Sequence, residues 1–134
     1  MKLDPDVRAL LDPPLSADLA TLNADGSPQL SIVWHERRAD EVVINTTAQR
    51  VKARNMDRDP RVSLLVGDPA KYVRLDGVAR IVATGPQALA DIRALAVRYE
   101  GEEHAERQTR EVWSKQDRVT YAIAIRRVYR YGFD

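Results

Sequence analysis

Cysteine is absent from this chain of 134 residues. That excludes disulfides and thiolate metal sites, and it fits a reducing cytoplasm. Histidine is almost as scarce: His35 and His104 are the whole supply, and two distant ligands without a third partner do not make a coordination sphere. Glycine numbers only six, and no cluster of it forms a dinucleotide fingerprint or a phosphate loop. An excess of one charge is missing too. Lys and Arg number 21 against 20 Asp and Glu, for a net charge of +1, which argues against a general nucleic-acid or membrane-surface binder and makes any basic patch local. No apolar run approaches the roughly 20 residues of a membrane span. No signal-like apolar region follows the opening Met-Lys-Leu-Asp-Pro-Asp, so the expectation is a cytoplasmic protein. Ser27, Ser31, Ser63 and Ser114 sit in no nucleophile motif, and no carboxylate pair stands out. A chain without acid–base or nucleophilic machinery suits a protein whose bound cofactor performs the chemistry.

What is present is a β-rich pattern. Apolar residues make up 44% of the chain, enough for one core, and the length predicts a single domain over 1–134. Asp4-Pro5 opens a short helix with Asp4 as cap, ended by Pro13-Pro14. A strand from Asp18 to Asn23 turns at Asp25-Gly26 into a strand from Pro28 to Glu36, with Leu30, Ile32 and Trp34 on one face. Arg37 to Asp40 reads as a turn, and Glu41 to Asn45 as a third strand. After a helix from about Ala48 to Met56, stopped by Asp59-Pro60, strands follow at Arg61–Gly67, at Tyr72–Ala83 with a bulge at Gly77, and at Val119–Tyr131. Pro86 to Gly101 reads as an amphipathic helix, and Glu102 to Lys115 as loop plus a helical turn. Six mostly antiparallel strands interrupted by helices predict a small barrel and exclude a doubly wound nucleotide fold.

The segment from Ile44 to Arg61 carries the main chemical signal. Thr46 and Gln49 have capping-box spacing, which predicts a helix start near Thr46 or Thr47 with unpaired N–H groups aimed outward. Arg50 and Lys52 follow, and the stretch from Val42 to Met56 contains no acid. Cations at a helix N-terminus oppose the dipole; a bound phosphate turns that conflict into attraction. Trp34 is the aromatic best placed to stack on a planar ring. Most of the tyrosines read as core or dimer contacts.

The ordered set Ala20-Thr21-Leu22-Asn23-Ala24-Asp25-Gly26-Ser27-Pro28-Gln29, Ser31-Ile32-Val33-Trp34, Ile44-Asn45-Thr46-Thr47, Arg50-Val51-Lys52-Ala53-Arg54-Asn55 and Arg58-Asp59-Pro60-Arg61-Val62 resembles the flavin-binding split β-barrel superfamily. Within that pyridoxamine 5'-phosphate oxidase-like group it is most similar to the branch dependent on deazaflavin (coenzyme F420). Arg127 to Phe133 is similar to the closing strand. The resemblance implies a mainly β, six-stranded antiparallel split barrel, a homodimer, and cofactors at the subunit interface. It implies that Ser31, Ile32, Val33 and Trp34 run along the ring and ribityl chain, that Ile44, Asn45, Thr46 and Thr47 flank ring and phosphate, and that Arg50 and Lys52, with Val51 between them, hold the phosphate. Arg37, Arg38, Arg54 or Arg58 are candidates for the glutamyl tail of the deazaflavin. Trp113, Arg118 and Tyr129 are candidates for residues supplied by a second subunit. The family's Arg-x-His substrate pair has no histidine here near Arg126 and Arg127, so pyridoxamine phosphate is not the expected substrate. The implied activity is hydride transfer from bound deazaflavin to an organic substrate; an FMN-dependent oxidoreductase and a non-catalytic cofactor-binding protein remain the alternatives.

Overall fold

Alternating apolar residues build one antiparallel sheet in the computed structural model, which describes every residue from 1 to 134. Its strands are β1 (Ala17–Leu22), β2 (Pro28–Val33), β3 (Glu36–Arg38), β4 (Glu41–Thr47), β5 (Arg61–Asp68), β6 (Lys71–Thr84) and β7 (Arg118–Tyr131). The helices are α1 (Pro5–Leu11), α2 (Val51–Arg58), α3 (Gly85–Glu100) and α4 (Glu102–Glu111), followed by a 3-10 turn at Trp113–Lys115. Strand order is β2-β1-β5-β6-β7-β4-β3. The two edge strands, β2 and β3, are joined in sequence by Trp34 and His35 alone, yet no ladder pairs them. The barrel is therefore split along that seam.

Seven strands stand where six were expected. The extra one is β3, three residues long, in the stretch read as a turn. The real turn is Ala39-Asp40, with Ala39 at a φ of 54°, held by Arg37 Nη1 donating to the Ala39 carbonyl at 2.7 Å. Alanine there gives no turn signal, because L residues other than Asn and Asp rarely enter that region. The second departure is α4, expected as mostly loop. It buries only Ala105, so no apolar stripe marks it. Acidic residues in its first turn complement the helix dipole, and Arg93 of α3 pairs with Glu102 and Glu106.

The core reads as the sequence predicts along β7: Val119, Tyr121, Ile123 and Ile125 are all buried. Leu19, Leu64, Leu75, Ile44 and α1's Val7 and Leu11 join them. Gly77 marks a register shift between β6 and β7, where a Cβ would lie 2.5 Å from the Ala124 carbonyl oxygen. The fold therefore requires glycine there.

The outer face of β2, β1, β5, β6 and β7 is unlike the inner one. Register aligns Ile32, Asp18, Leu65, Arg74 and Tyr129 in one row across it. Leu30 is 69% exposed and Ile32 73%. The apolar face of β2 is thus turned away from the core, and Trp34 leaves it altogether.

Candidate functional site

Strand β4 is covered on both sides. Val42 and Ile44 face the core, while α3 lies over Asn45. At its C-terminal end the pairing continues through Thr46↔Val119 and Thr47↔Arg118. Thr46 and Thr47 are therefore strand residues, and the expected capping box does not form: Gln49 donates instead to Asp117 at 3.3 Å. A full-length ladder with β7 outweighs one local side-chain cap. The helix starts later, at Val51, with Arg50 at the N-cap position and no side-chain cap. The first helical bond is Arg54 N–H to the Arg50 carbonyl, so the N–H groups of Val51, Lys52 and Ala53 precede the ladder. No acidic residue stands in that first turn.

A cleft of about 230 Å³ opens beside it. It gathers Ile32, Val33, Trp34, Asn45, Thr46, Arg50 and Lys52 from the expected set, and adds Ile92, Leu95, Trp113 and Arg118. Four expected residues lie outside its lining. Ile44 is in the core. Thr47 uses its carbonyl to accept from the Arg50 N–H. Val51 is exposed on α2. Ser31 lines a separate groove on the outer face, its hydroxyl buried without a partner. Trp113 and Arg118, expected from a second subunit, line this chain's own cleft. Sequence reading missed this because only the β4–β7 register brings Arg118 beside Lys52. Tyr129 lies on the outer face, under the Arg74 guanidinium at 3.9 Å.

The electrostatics of the cleft are one-sided. Burial, then the charges of Arg50 and Arg118, lower the Lys52 pKa. Burial and then Arg50 push Arg118 down to about 10. Arg118 Nε donates to Asn45 Oδ1 at 2.9 Å and Nη1 to Gln116 Oε1 at 2.8 Å. Both acceptors are neutral, and Nη2 has no hydrogen-bond partner within the chain. Three mutually repelling cations beside a helix N-terminus leave a local positive potential with no carboxylate to neutralise it. The opposite wall is aromatic. Trp34 stacks on Tyr99 at 5.3 Å and meets Trp113 edge-on at 6.3 Å. The Tyr99 hydroxyl in turn donates to the Leu15 carbonyl at 2.7 Å, which fixes the wall to the chain before β1. Ile92 and Leu95 of α3 complete an apolar surface.

Neither imidazole reaches the cleft. His35 is fully buried, with Nε2 3.0 Å from the Leu11 carbonyl oxygen and Nδ1 3.1 Å from the Tyr99 hydroxyl; burial lowers its pKa. His104 pairs with Glu100 at 3.2 Å. Elsewhere three of the four expected tail-binding arginines are engaged, Arg37 with Asp12 at 2.7 Å, Arg38 with Asp91 at 3.3 Å and Arg58 with the Leu22 carbonyl at 2.6 Å, while Arg54 is exposed on α2. No helix is long and apolar enough to cross a membrane.

The fold is a split antiparallel barrel with a cationic strand-to-helix corner beside an aromatic wall. The chain belongs to the pyridoxamine 5'-phosphate oxidase family, whose model matches residues 3–131. A conserved hypothetical protein from Mycobacterium tuberculosis is similar at 29% identity and a TM-score of 0.79, over 98% of this chain and 85% of that one. An F420 reductase is similar at 25% identity and a TM-score of 0.74, over 95% and 98%. A heme binding protein from Mycobacterium smegmatis is similar at 25% identity and a TM-score of 0.66, over 94% of this chain and 51% of that one.

Proposed function

We propose that the chain is an oxidoreductase that holds deazaflavin (coenzyme F420) in this cleft and passes hydride to an organic substrate. One observation carries the reading: Arg50, Lys52 and Arg118 converge with no carboxylate among them, facing an aromatic and aliphatic wall. That donor set fits a ligand with a planar ring at one end and a phosphate at the other. The F420 reductase among the similar structures supports the choice of ring. The bound ring supplies the hydride chemistry. Arg50, Lys52 and Arg118 hold the phosphate, Trp34 and Trp113 border the ring, and Ile92 and Leu95 keep water from it. FMN shares the phosphate and suits the same cations, so it is the second ligand to test. Heme fits less well, because both imidazoles are committed outside the cleft.

Titration of ligand-free protein with deazaflavin and with FMN, followed by fluorescence, tests this. Deazaflavin binding is expected to weaken about tenfold or more in the Arg50→Ala, Lys52→Ala double variant, the value of a charge-assisted phosphate contact. Tight FMN binding with no deazaflavin binding overturns the choice of cofactor. Turnover of reduced cofactor by quinone-like or unsaturated acceptors tests the enzymatic part.

The reading includes a homodimer formed through the outer face that bears Leu30, Ile32 and Leu65. An apolar strip at the sheet surface calls for cover. Ile32→Asp would place an unpaired charge in it and is expected to leave a monomer in sedimentation; an unchanged dimer moves the interface elsewhere.

A further inference from the structure

Asn45 stands in the cleft, yet its side chain has little left to offer a ligand. Its Nδ2 donates one proton to the Ala88 carbonyl and the other to Thr120 Oγ1, both at 2.9 Å. Its Oδ1 accepts from Arg118 Nε at 2.9 Å. The Ala88 carbonyl only accepts and the guanidinium only donates, so the amide has one orientation. Thr120 Oγ1 must then receive the amide proton and send its own elsewhere. It donates to Asp91 Oδ2 at 2.7 Å. Asp91 is 5% exposed; its Oδ1 accepts from Arg38 at 3.3 Å and Gln87 at 3.0 Å. From carboxylate to guanidinium every bond runs one way.

We propose that Asp91, Thr120 and Asn45 are positioning residues, forming a directional hydrogen-bond chain from α3 through β7 and β4 that aims Arg118 Nη2 at the anion of the cleft ligand. Its ligand arm rests on the phosphate-binding reading above; the chain itself does not. The polarity makes a specific demand on Asp91. With Asn at 91, Arg38 and Gln87 hold the amide oxygen, so the amide nitrogen turns to Thr120 as a donor. The Thr120 hydroxyl proton is then buried without an acceptor, and a network with one unsatisfied member loses its cooperativity. Size and shape hardly change. Thr120→Val breaks the same chain at its centre without touching the cleft.

The first measurement uses ligand-free protein. The Arg118 Nε–H signal in side-chain nitrogen–proton spectra is expected to exchange slowly in the wild type. It should exchange about tenfold faster in Asp91→Asn and Thr120→Val, the value of one hydrogen bond, and slowly again in Thr120→Ser, which restores the hydroxyl. The second measurement compares FMN with riboflavin, which has the same ring and no phosphate. Both disrupting variants should weaken FMN about tenfold and leave riboflavin alone. Equal weakening of the two ligands means that the chain merely supports the fold, and overturns the proposal. An Arg118 signal unmoved by both variants overturns it whichever ligand binds. If the wild type binds neither FMN, deazaflavin nor inorganic phosphate, the anion role of Arg118 falls together with the proposed function, while the exchange data separately decide whether the chain orients it.

Discussion

Arginines on the barrel surface and arginines in the cleft are held in opposite electrostatic states. Arg37, Arg61, Arg74 and Arg80 each meet a carboxylate within 3.1 Å, and the hydrogen bond to that carboxylate raises each pKa above its ordinary value. Arg118 meets neutral acceptors and a like charge, and burial takes it down to about 10. Lys52 moves the same way. The surface pairs are electrostatically complete. The cleft cations have no counter-charge and repel one another, which weakens the fold that carries them.

The largest effect that can break this contrast is charge reversal. Arg118→Glu removes a contact and adds repulsion, so FMN or deazaflavin affinity is expected to fall about a hundredfold or more. Arg61→Glu, on a paired surface site, should leave it unchanged; equal losses in a titration would erase the distinction. A smaller effect comes from pH. Ligand phosphate favours the protonated forms of Arg118 and Lys52, so affinity should be flat through neutral pH. It should decline as pH rises through about 10, where Arg118 begins to lose its proton. Stability of the empty protein runs the opposite way. A cation whose folded pKa is depressed weakens the fold while protonated, and that loss is regained above the folded pKa. Riboflavin binding across this range is the control. The smallest effect is on the empty protein. Lys52→Met keeps the stem and removes the repulsion, for a gain of about 0.5 kcal/mol that shrinks in salt. Arg80→Met breaks the exposed pair with Glu41 and should lose about 0.5 kcal/mol. Chemical denaturation of both variants checks the opposite signs.

The sequence made the strands legible wherever apolar alternation ran long, as from Val119 to Ile125, and at Gly77, where only a hydrogen fits. The basic corner was legible from Arg50 and Lys52 standing in an acid-free stretch. Other features were hidden for physical reasons. Helix α4 is stabilised by charge pairs and one alanine, which leave no periodicity. The turn at Ala39 uses a residue that does not advertise a positive φ. The start of α2 was misplaced because Thr46 and Thr47 answer to a strand more than 70 residues away, and no local rule sees that pairing. Arg118 joins the site through the same long-range register. Leu30 and Ile32 showed the right period on β2, but period alone does not say which side of a sheet faces water.

Thr84 lies directly opposite Val119 in the β6–β7 ladder. The whole excursion through α3, α4 and the Trp113 turn therefore leaves the barrel and returns to it across a gap of about 5 Å, one step between paired strands. It behaves as a cassette clipped into a hairpin. Ile92, Leu95 and Trp113 belong to the cassette; Arg50, Lys52 and Arg118 belong to the frame. On the proposed reading, exchanging the cassette would change the wall beside the ring and leave the cationic corner unaltered.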